Sequence, residues 1–406
     1  MIEPLTNRAP TRVFLTWIGF WIALFAIGGY FGMLCLSQGL HHTNMNNRFG
    51  FGIWIFLDLT VIALGAGAFF SAFLLYILKK QALKDVIGSA VVLGFICYSG
   101  AVVVLAIDVG QPLRAWFTFW HPNAHSMLAE VTFCLTLYLL VLAIEYVPLI
   151  LKNPSLSKNV SLLVFEGQLH KVVVVFAGVG AVLSFFHQGS LGGLYGVMNG
   201  RPFAFREHFF IWPSTFFLFI LSAIAAGPSF LILINKLASA ITKKQLVRKD
   251  AYDFLGRISG WLLLAYVGLK SVDTIVWINH TAPASGYSVA EFFKEASFGT
   301  WILFAEIVLF GLLPALVLIN DRLRKRPLLM IVAPLLVCIG IAVNRYVMTL
   351  QSQSLPTLPF EEFVLYTPSL VEIGVFGGMI SYGVIVFSLS YRYLPLYPGL
   401  RQKAKT

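Results

Sequence analysis

The 406-residue chain is 58% hydrophobic and only 12% charged, whereas about 25% of the residues in an ordinary soluble domain are charged. Its mean hydropathy is +0.82, and apolar runs of about 20 residues, long enough to cross a bilayer, recur from end to end. These values exclude a water-soluble globular protein. They predict an all-α integral membrane protein, a bundle of about ten transmembrane helices that forms a single domain over residues 1–406.

The apolar runs predict the helices in chain order. They span residues 13–40, 51–78, 85–108, 126–151, 167–187, 207–235, 254–279, 298–320, 327–350 and 367–394. The polar connections between them are too short to hold a separate soluble domain.

The distribution of lysine and arginine predicts the orientation of these helices. Of the 29 basic residues, 21 lie at the chain ends and in the connections after even-numbered helices, five lie in the other connections, and three lie inside helices. Because positive residues in short loops stay in the cytoplasm, both termini are predicted to lie there, in a multi-pass protein of the inner membrane. The formal net charge of +11 is thereby explained by topology, with membrane lipid and not nucleic acid as the partner.

Ionisable side chains inside the predicted helices are the candidate functional residues, because each costs at least about 2.5–3.5 kcal/mol to insert into hydrocarbon. Most fall at a similar depth in the outer half of the bundle: Asp58, Asp108, Glu130, His187, Asp273, Glu306, Arg345 and Glu372. Glu145 lies nearer the cytoplasmic side. His187 is predicted to close the fifth helix, before the segment H-Q-G-S-L-G-G-L-Y-G, whose glycines allow a ligand or partner to approach the backbone.

Each of these residues also has a structural interpretation. Asp108 and Glu130 are compatible with interfacial positions, and His187 with a hydrogen-bonded histidine at a helix end. Arg345 and Glu372 are compatible with one buried ion pair that fixes helix packing.

The chemistry that best matches this cluster is that of a quinone. A quinone needs an apolar slot for its ring and tail, hydrogen-bond partners at its carbonyl oxygens, and acid–base groups that exchange two protons per two electrons. The four cysteines occur singly, without the spacing of a metal site. We therefore expect no metal site, haem or iron–sulfur cluster in this chain, and any redox metal to lie in a partner.

Two other functions remain open at this stage. A haem b membrane anchor needs two histidines that face each other across helices. A proton or ion translocator without quinone chemistry would also use carboxylates inside the membrane, typically beside broken helices near the midplane.

The segment I-D-V-G-Q-P-L-R-A-W-F, with Asp108, Gly110, Pro112 and Arg114, resembles the D-x-G-[RQ]-P-x-R-[FA]-W signature of the NrfD/PsrC superfamily of quinone-interacting membrane subunits. Further similar segments follow the family's order along nearly the whole chain: F-G-I-W-I-F-L-D-L at Asp58, the segment from Glu130 to Glu145, F-H-Q-G-S-L-G-G-L at His187, F-A-E-I at Glu306, N-R-Y at Arg345 and Y-T-P-S-L-V-E-I-G at Glu372. The resemblance is to the ten-span branch of HybB, Hmc-type and DsrP subunits, and favours the DsrP type of anaerobic sulfur metabolism. The chain differs from many members by Gln111, where they carry arginine.

The resemblance implies a subunit of a multisubunit oxidoreductase, not an enzyme on its own. It implies a non-covalent menaquinone or ubiquinone site near the outer face, beside a ferredoxin-like iron–sulfur subunit that exchanges electrons with it, possible coupling to proton translocation, and a multihaem cytochrome c and cytoplasmic catalytic subunits as further partners. The catalytic residues are then predicted to be His187, Asp108 and Glu130. The quinone-binding residues are predicted to be Asp58, Arg114, His187, Arg345 and Glu372, and the proton path Glu145, Glu306 and Asp273.

We expect the iron–sulfur partner to dock on two outer connections, residues 109–125 and 188–206. These carry aromatic and basic side chains of the kind enriched at protein interfaces. The predicted anchors are Trp116, Trp120, Tyr195, Arg201 and Phe203.

Overall fold

The computed structural model describes residues 10–123, 125–198, 200–201, 203–209, 211–290, 301–356, 358 and 360–397, with all their side chains except those of residues 68, 170, 208 and 209. Over these ranges, ten helices are long and apolar enough to cross a membrane, which confirms the predicted fold class. They are α1 (Thr11–Gln38), α2 (Ile53–Ile77), α3 (Ile87–Asp108), α4 (Met127–Leu151), α5 (Val160–Gly196), α6 (Ser214–Thr242), α7 (Lys249–Ala284), α8 (Trp301–Ile319), α9 (Leu329–Ser354) and α10 (Leu370–Tyr393).

Short elements connect the long helices. Single helical turns cover Leu40–His42, Gln81–Asp85, Pro112–Arg114, Phe117–Trp120 and Asp321–Arg324. Before α6, strands β1 (His208–Phe209) and β2 (Trp212–Pro213) form an antiparallel pair.

The start of α1 and the end of α10 meet at one face of the bundle. Arg392, near the end of α10, donates a hydrogen bond of 3.0 Å to the hydroxyl of Thr11, at the start of α1. We call this face the proximal face and the opposite one the distal face. The distal face is therefore the one predicted from the basic residues to lie outside the cytoplasm.

Helices α2 and α6 form the centre of the bundle. Helix α2 packs against α3, α6 and α9, and α6 packs against α2, α5, α7 and α9. Helices α3, α4 and α5 therefore lie on one side of this centre, and α7, α8 and α9 on the other. Helix α1 packs mainly against α10, and this pair lies along α3.

Glycines let two pairs of helices approach at backbone distance. A Cβ atom on Gly67 of α2 would lie 2.6 Å from the carbonyl oxygen of Gly227 in α6, and one on Gly28 of α1 would lie 2.5 Å from the Cα atom of Gly378 in α10. Small residues at such crossings allow van der Waals packing between helices in a membrane. Gly67 and Gly28 thus allow tight contacts between these helices.

The prediction that the fifth helix ends at His187 is wrong. Helix α5 continues through the glycine-rich segment to Gly196. A Cβ atom on Gly189 or Gly193 would come within 4 Å of the ring of Phe216 in α6, so these glycines lie where two helices pack closely, not in a loop open to a ligand. The next helix accordingly begins at Ser214, not at residue 207.

Candidate functional site

A long cleft of about 870 Å³ runs between α1, α2, α3, α6 and α10. Its distal part is lined by Trp54, Asp58, Cys97, Ala101 and Val104, and its proximal part by Val13, Trp17, Leu237, Ile241 and Lys244. Apart from a few side chains the lining is apolar. The cleft opens to the side, where the lining residues from α1 and α6 are exposed on the outside of the bundle.

Of the described residues that line the cleft, Asp58 is the acidic one. Its carboxyl is buried, and within the described part of the chain its Oδ1 atom has no hydrogen-bond partner. Asp58 is the fifth residue after Ile53, where α2 begins, which places it about 8 Å below the distal end of that helix. A buried polar atom without a partner is uncommon and points to an additional ligand or water at this position.

Asp108 lies beside Asp58, as the sequence predicted. It is the last residue of α3, its carboxyl is close enough to interact electrostatically with that of Asp58, and its Oδ1 atom also lacks a hydrogen-bond partner among the described residues. Two carboxyl groups with unused hydrogen-bonding capacity thus lie near the distal end of the cleft, Asp58 in its wall and Asp108 outside its described lining.

Glu372 has a different environment. Its carboxylate accepts hydrogen bonds from the backbone N–H groups of Ser369 (2.8 Å) and Asn44 (3.1 Å) and from the hydroxyl of Tyr366. The Ser369 side chain in turn accepts from the Glu372 N–H group, which completes a capping box at the start of α10. Glu372 therefore stabilises the distal end of α10 and ties the connection after α1 to it.

The interpretation of Arg345 and Glu372 as one ion pair is wrong. Arg345 is fully buried in α9, where it donates hydrogen bonds to Asn344 Oδ1 (2.5 Å) and Ser222 Oγ (3.0 Å). Its guanidinium carbon lies 3.5 Å from the ring centre of Phe219. Both partners of the expected pair are thus engaged by other groups.

His187 is fully buried in α5, nine residues before the end of the helix at Gly196. Its ring centre lies 5.7 Å from that of Tyr98 in α3, whose hydroxyl is 2.9 Å from that of Ser184. Neither ring nitrogen has a hydrogen-bond partner among the described residues, and His187 is absent from the described lining of the cleft. His187 therefore contacts α3 through the ring of Tyr98.

A second group of buried charges lies between α6, α7, α8 and α9. Both oxygens of Asp273 accept from Arg206 Nε at 3.1 Å, and one accepts from the hydroxyl of Ser214 at 2.5 Å. The ammonium nitrogen of Lys270 lies 3.7 Å from Asp273 and 4.0 Å from Glu306. Burial leaves these charges little screened by solvent, so their attraction to one another is strong.

This group extends to α9. The Glu306 oxygen near Lys270 also accepts from the side-chain amide of Asn344 at 2.8 Å, and Asn344 accepts from Arg345. We call the connected side chains the ionic network: Arg206, Asp273, Lys270, Glu306, Asn344 and Arg345. Asp273 and Glu306, predicted as members of a proton path, are thus brought together through Lys270.

Helices α7, α8 and α9 each supply a charge to the ionic network, and each has a π-helical segment near that charge. The segments cover Trp277–Thr281, Ala305–Leu312 and Val347–Gln351. Such local widening of a helix often occurs at functional sites.

The sequence alone missed Lys270 and Arg206 as members of this site. Lys270 precedes Asp273 by three residues, a spacing that places both on one face of a helix and would have predicted their pairing. Arg206 follows α5 in a distal connection, and only the fold shows that its side chain turns inward and is buried.

Tyr195 is a further residue that the sequence misplaced. It is 1% exposed inside α5, and within the described ranges its hydroxyl has no hydrogen-bond partner. It lies close enough to Asp58, Asp108 and Arg345 to interact electrostatically with all three. Tyr195 thus lies near the two carboxyl groups at the distal end of the cleft and near Arg345 of the ionic network. It and the buried Phe203 are not exposed anchors for a partner, contrary to the prediction.

The other predicted residues are dispersed. Arg114 is exposed on the distal face, and Glu130 is half-buried in the first turn of α4; the described cleft lining includes neither. Glu145 is buried farther along α4, toward the proximal face. Trp116 and Trp120 are 50% and 72% exposed, as expected of anchors, whereas Arg201 donates a hydrogen bond to the carbonyl of Arg48.

One buried histidine is found among the side chains that the structure describes. A bis-histidine haem needs two imidazoles that face each other, and His187 is the buried histidine among the side chains that the structure describes. The described residues also contain no group of three or more histidine, cysteine and acidic side chains arranged around a metal ion.

The family model for polysulphide reductase, NrfD, matches residues 41–356. The chain belongs to the NrfD family. This assignment confirms the resemblance to the NrfD/PsrC superfamily that the motif around Asp108 indicated. The matched range contains Asp58, Asp108 and His187 as well as every member of the ionic network.

Three relatives illustrate the range of NrfD-related subunits. The menaquinone reductase integral membrane subunit of Nitratidesulfovibrio vulgaris is 48% identical over 393 residues, which cover 97% of this chain and 94% of the relative. The probable Ni/Fe-hydrogenase 2 b-type cytochrome subunit of Escherichia coli is 24% identical, with 89% and 86% covered. A selenate reductase subunit of Mesobacillus selenatarsenatis is 21% identical, with 91% and 92% covered.

Proposed function

We propose that this chain is the quinone-binding membrane subunit of an oxidoreductase complex and that its quinone is menaquinone. The observation that carries the proposal is the combination of a long apolar cleft with a buried carboxyl, Asp58, at its distal end. Ligand sites of this kind are mostly apolar and use a few polar groups to fix the ligand's orientation. The 48% identity to a menaquinone reductase subunit supports menaquinone over ubiquinone.

The quinone ring lies at the distal part of the cleft, and the first units of its isoprenoid tail lie along the apolar wall below it. Asp58 is the group that exchanges a proton with a carbonyl oxygen of the ring. Asp108 lies beside Asp58 and is the second proton carrier, because reduction of one quinone takes up two protons and two electrons. His187 has a positioning role: its ring packs against Tyr98 and so helps to hold the hydroxyl groups of Tyr98 in α3 and Ser184 in α5 in place.

The electrons come from a partner on the distal face. We assign docking of a ferredoxin-like iron–sulfur subunit to residues 112–120. Trp116, between two helical turns, and Trp120, at the end of the second turn, present exposed aromatic rings there. Aromatic residues are enriched at the centres of protein interfaces. A multihaem cytochrome c and cytoplasmic catalytic subunits are further proposed partners. We also propose that the complex is of the DsrP type.

The ionic network favours a second role, proton movement coupled to the quinone reaction. Tyr195 lies near Asp58, Asp108 and Arg345, and it is the residue that we propose to link the cleft to Glu306 and Asp273 through the ionic network. Ionisable residues inside a membrane mark such routes. Glu145, on the proximal side, is the proposed further member of this route.

Asp58→Asn tests the proposed function. Removal of the titratable group should lower quinone-dependent turnover of the assembled complex by about 10²–10⁴-fold, the usual contribution of general acid–base catalysis. Asp250→Asn, which makes the same chemical change at an exposed position at the start of α7, is the matched control and should retain turnover.

A second variant tests the position of the ring separately from the proton chemistry. Ala101→Phe fills the distal part of the cleft and should reduce the amount of quinone that copurifies with the complex. Full turnover in Asp58→Asn together with normal quinone content in Ala101→Phe would refute the assigned site. A Soret band stoichiometric with the purified chain would instead favour the haem b anchor.

A further inference from the structure

A separate pocket of about 370 Å³ opens on the proximal face, where α6 ends and α7 begins. Four lysines line it: Lys236, Lys243, Lys244 and Lys249. Among the described residues no acidic side chain lines this pocket, which we call the lysine pocket. A concave surface that gathers several positive charges favours a bound anion.

Two features hold the lysines around this pocket. The ammonium group of Lys236 lies 4.7 Å above the ring centre of Tyr252, a cation–π contact that orients it along the pocket wall. Lys243 ends α6 in the left-handed backbone conformation, with φ +51°. Glycine is the usual residue at such a helix end. A lysine in this conformation strains the backbone, and its side chain adds a positive charge to the pocket.

One acidic residue near this segment is paired with an arginine. Asp85, in the connection between α2 and α3, accepts from Arg248 Nε at 2.5 Å. Asp250, which follows Lys249 in the sequence, is exposed. Neither carboxyl belongs to the described lining of the lysine pocket.

The lysine pocket is continuous with the cleft. Lys244 lines both, and the adjoining residues of α6 that face the cleft, Leu237 and Ile241, are apolar and largely exposed on the outside of the bundle. A site that joins a positive pocket to an apolar groove matches a molecule with an anionic head and a hydrocarbon chain. A free anion would use only the first part of it.

We propose that the lysine pocket binds the phosphate group of an anionic phospholipid, with an acyl chain of the same lipid in the proximal part of the cleft. Basic pockets between transmembrane helices on the cytoplasmic side, where the proximal face is predicted to lie, bind such head groups. The lipid occupies the opposite end of the cleft from Asp58, so this site is independent of the proposed quinone ring position.

The test compares two triple variants of the complete complex with equal loss of charge. Lys243→Gln/Lys244→Gln/Lys249→Gln removes three cations from the pocket. The matched control, Lys79→Gln/Lys80→Gln/Lys84→Gln, removes three exposed cations from the same face outside the described pocket lining. Each complex is taken from nanodiscs that contain phosphatidylglycerol and phosphatidylcholine, and the retained lipids are counted by native mass spectrometry.

We expect the pocket variant to retain at least about tenfold less phosphatidylglycerol than the parent and the control to match the parent. Equal loss in both variants, or unchanged retention in the pocket variant, would overturn the proposal. Both readouts count bound lipid and not turnover, so they stay informative even if the quinone assignment fails.

A further variant separates a lipid from a free phosphate ion. Ile241→Trp places a large ring in the acyl-chain part of the groove and leaves all four lysines in place. Reduced retention of phosphatidylglycerol in this variant supports a lipid with its chain in the cleft. Normal retention in Ile241→Trp, combined with displacement of the lipid by millimolar inorganic phosphate, would overturn the lipid assignment in favour of a free anion site.

Discussion

The charge balance of the ionic network gives a prediction that separates a cooperating network from a set of independent pairs. The network holds three cations, Arg206, Lys270 and Arg345, and two anions, Asp273 and Glu306. Asp273→Asn leaves the three cations with a single anion. The double variant Asp273→Asn/Lys270→Met removes one charge of each sign and restores the original excess of one cation.

The expected magnitudes follow from burial. The side chains of Asp273, Arg206 and Lys270 are about 4–5% exposed, and removal of one partner from a buried ion pair typically costs about 3–5 kcal/mol. Asp273→Asn should therefore lower the free energy of unfolding by that amount. Because Lys270 is then a buried cation with one fewer partner, its replacement by methionine should return about 1–3 kcal/mol, a coupling energy usual for residues in contact.

The assay is unfolding of the purified protein in mixed micelles with increasing dodecyl sulfate, followed by tryptophan fluorescence. Trp277 is a suitable reporter because its ring centre lies 5.0 Å from the guanidinium carbon of Arg206. Glu166→Gln, which removes one anion from the more exposed Lys152–Glu166 pair, is the control and should change the free energy of unfolding by less than about 1 kcal/mol. A double variant less stable than Asp273→Asn would refute the charge-balance reasoning.

Three further predictions concern the scaffold. Arg324→Ala removes hydrogen bonds of 2.7 and 3.0 Å to two backbone carbonyl groups at the end of α8. Thermal unfolding should show a free energy of unfolding lowered by about 3 kcal/mol in this variant, and by less than about 0.5 kcal/mol in the control Arg322→Ala, whose side chain is exposed. Equal effects of the two variants would contradict this prediction. Gly28→Leu should separate α1 from α10 at a cost of about 1–3 kcal/mol and expose α1 to limited proteolysis, whereas Gly29→Leu, which points into open space, should not. The hydrogen bond from Arg324 lowers the pKa of Asp321, so Asp321→Asn should reduce the melting temperature at neutral pH. The difference from the parent should begin to shrink as the pH falls below the ordinary aspartate pKa of about 4 and should vanish only below the lowered pKa of the folded state; a difference that persists below that pKa would exclude this ion pair as its cause.

The parts of the fold that depend on hydrophobic length were predictable from the sequence. All ten spans follow from apolar runs, because the bilayer fixes the length that each helix needs. The proximity of Asp58 and Asp108 was also predictable, since both lie near the distal ends of successive antiparallel helices. Only the lateral arrangement of the helices had to be learned from the structure.

The parts that depend on which helix faces which were not predictable. The glycine-rich end of α5 has the composition of a loop, yet it is helical because its glycines face α6 and allow close packing. The structural interpretation that pairs Arg345 with Glu372 is wrong for the same reason: both lie at similar depth, but the lateral positions of α9 and α10 give each different partners. Arg206 was assigned to an aqueous loop because depth was inferred from sequence position alone.

The lateral opening of the cleft determines how reactivity with quinone has to be quantified. A molecule that enters from the bilayer is presented at its mole fraction in the lipid and not at its concentration in water. Addition of plain phospholipid to a reconstituted preparation, at constant total quinone, should therefore slow turnover by dilution in two dimensions. Detergents with long alkyl chains would compete for the same groove, so an apparent Michaelis constant measured in micelles describes the detergent as much as the protein.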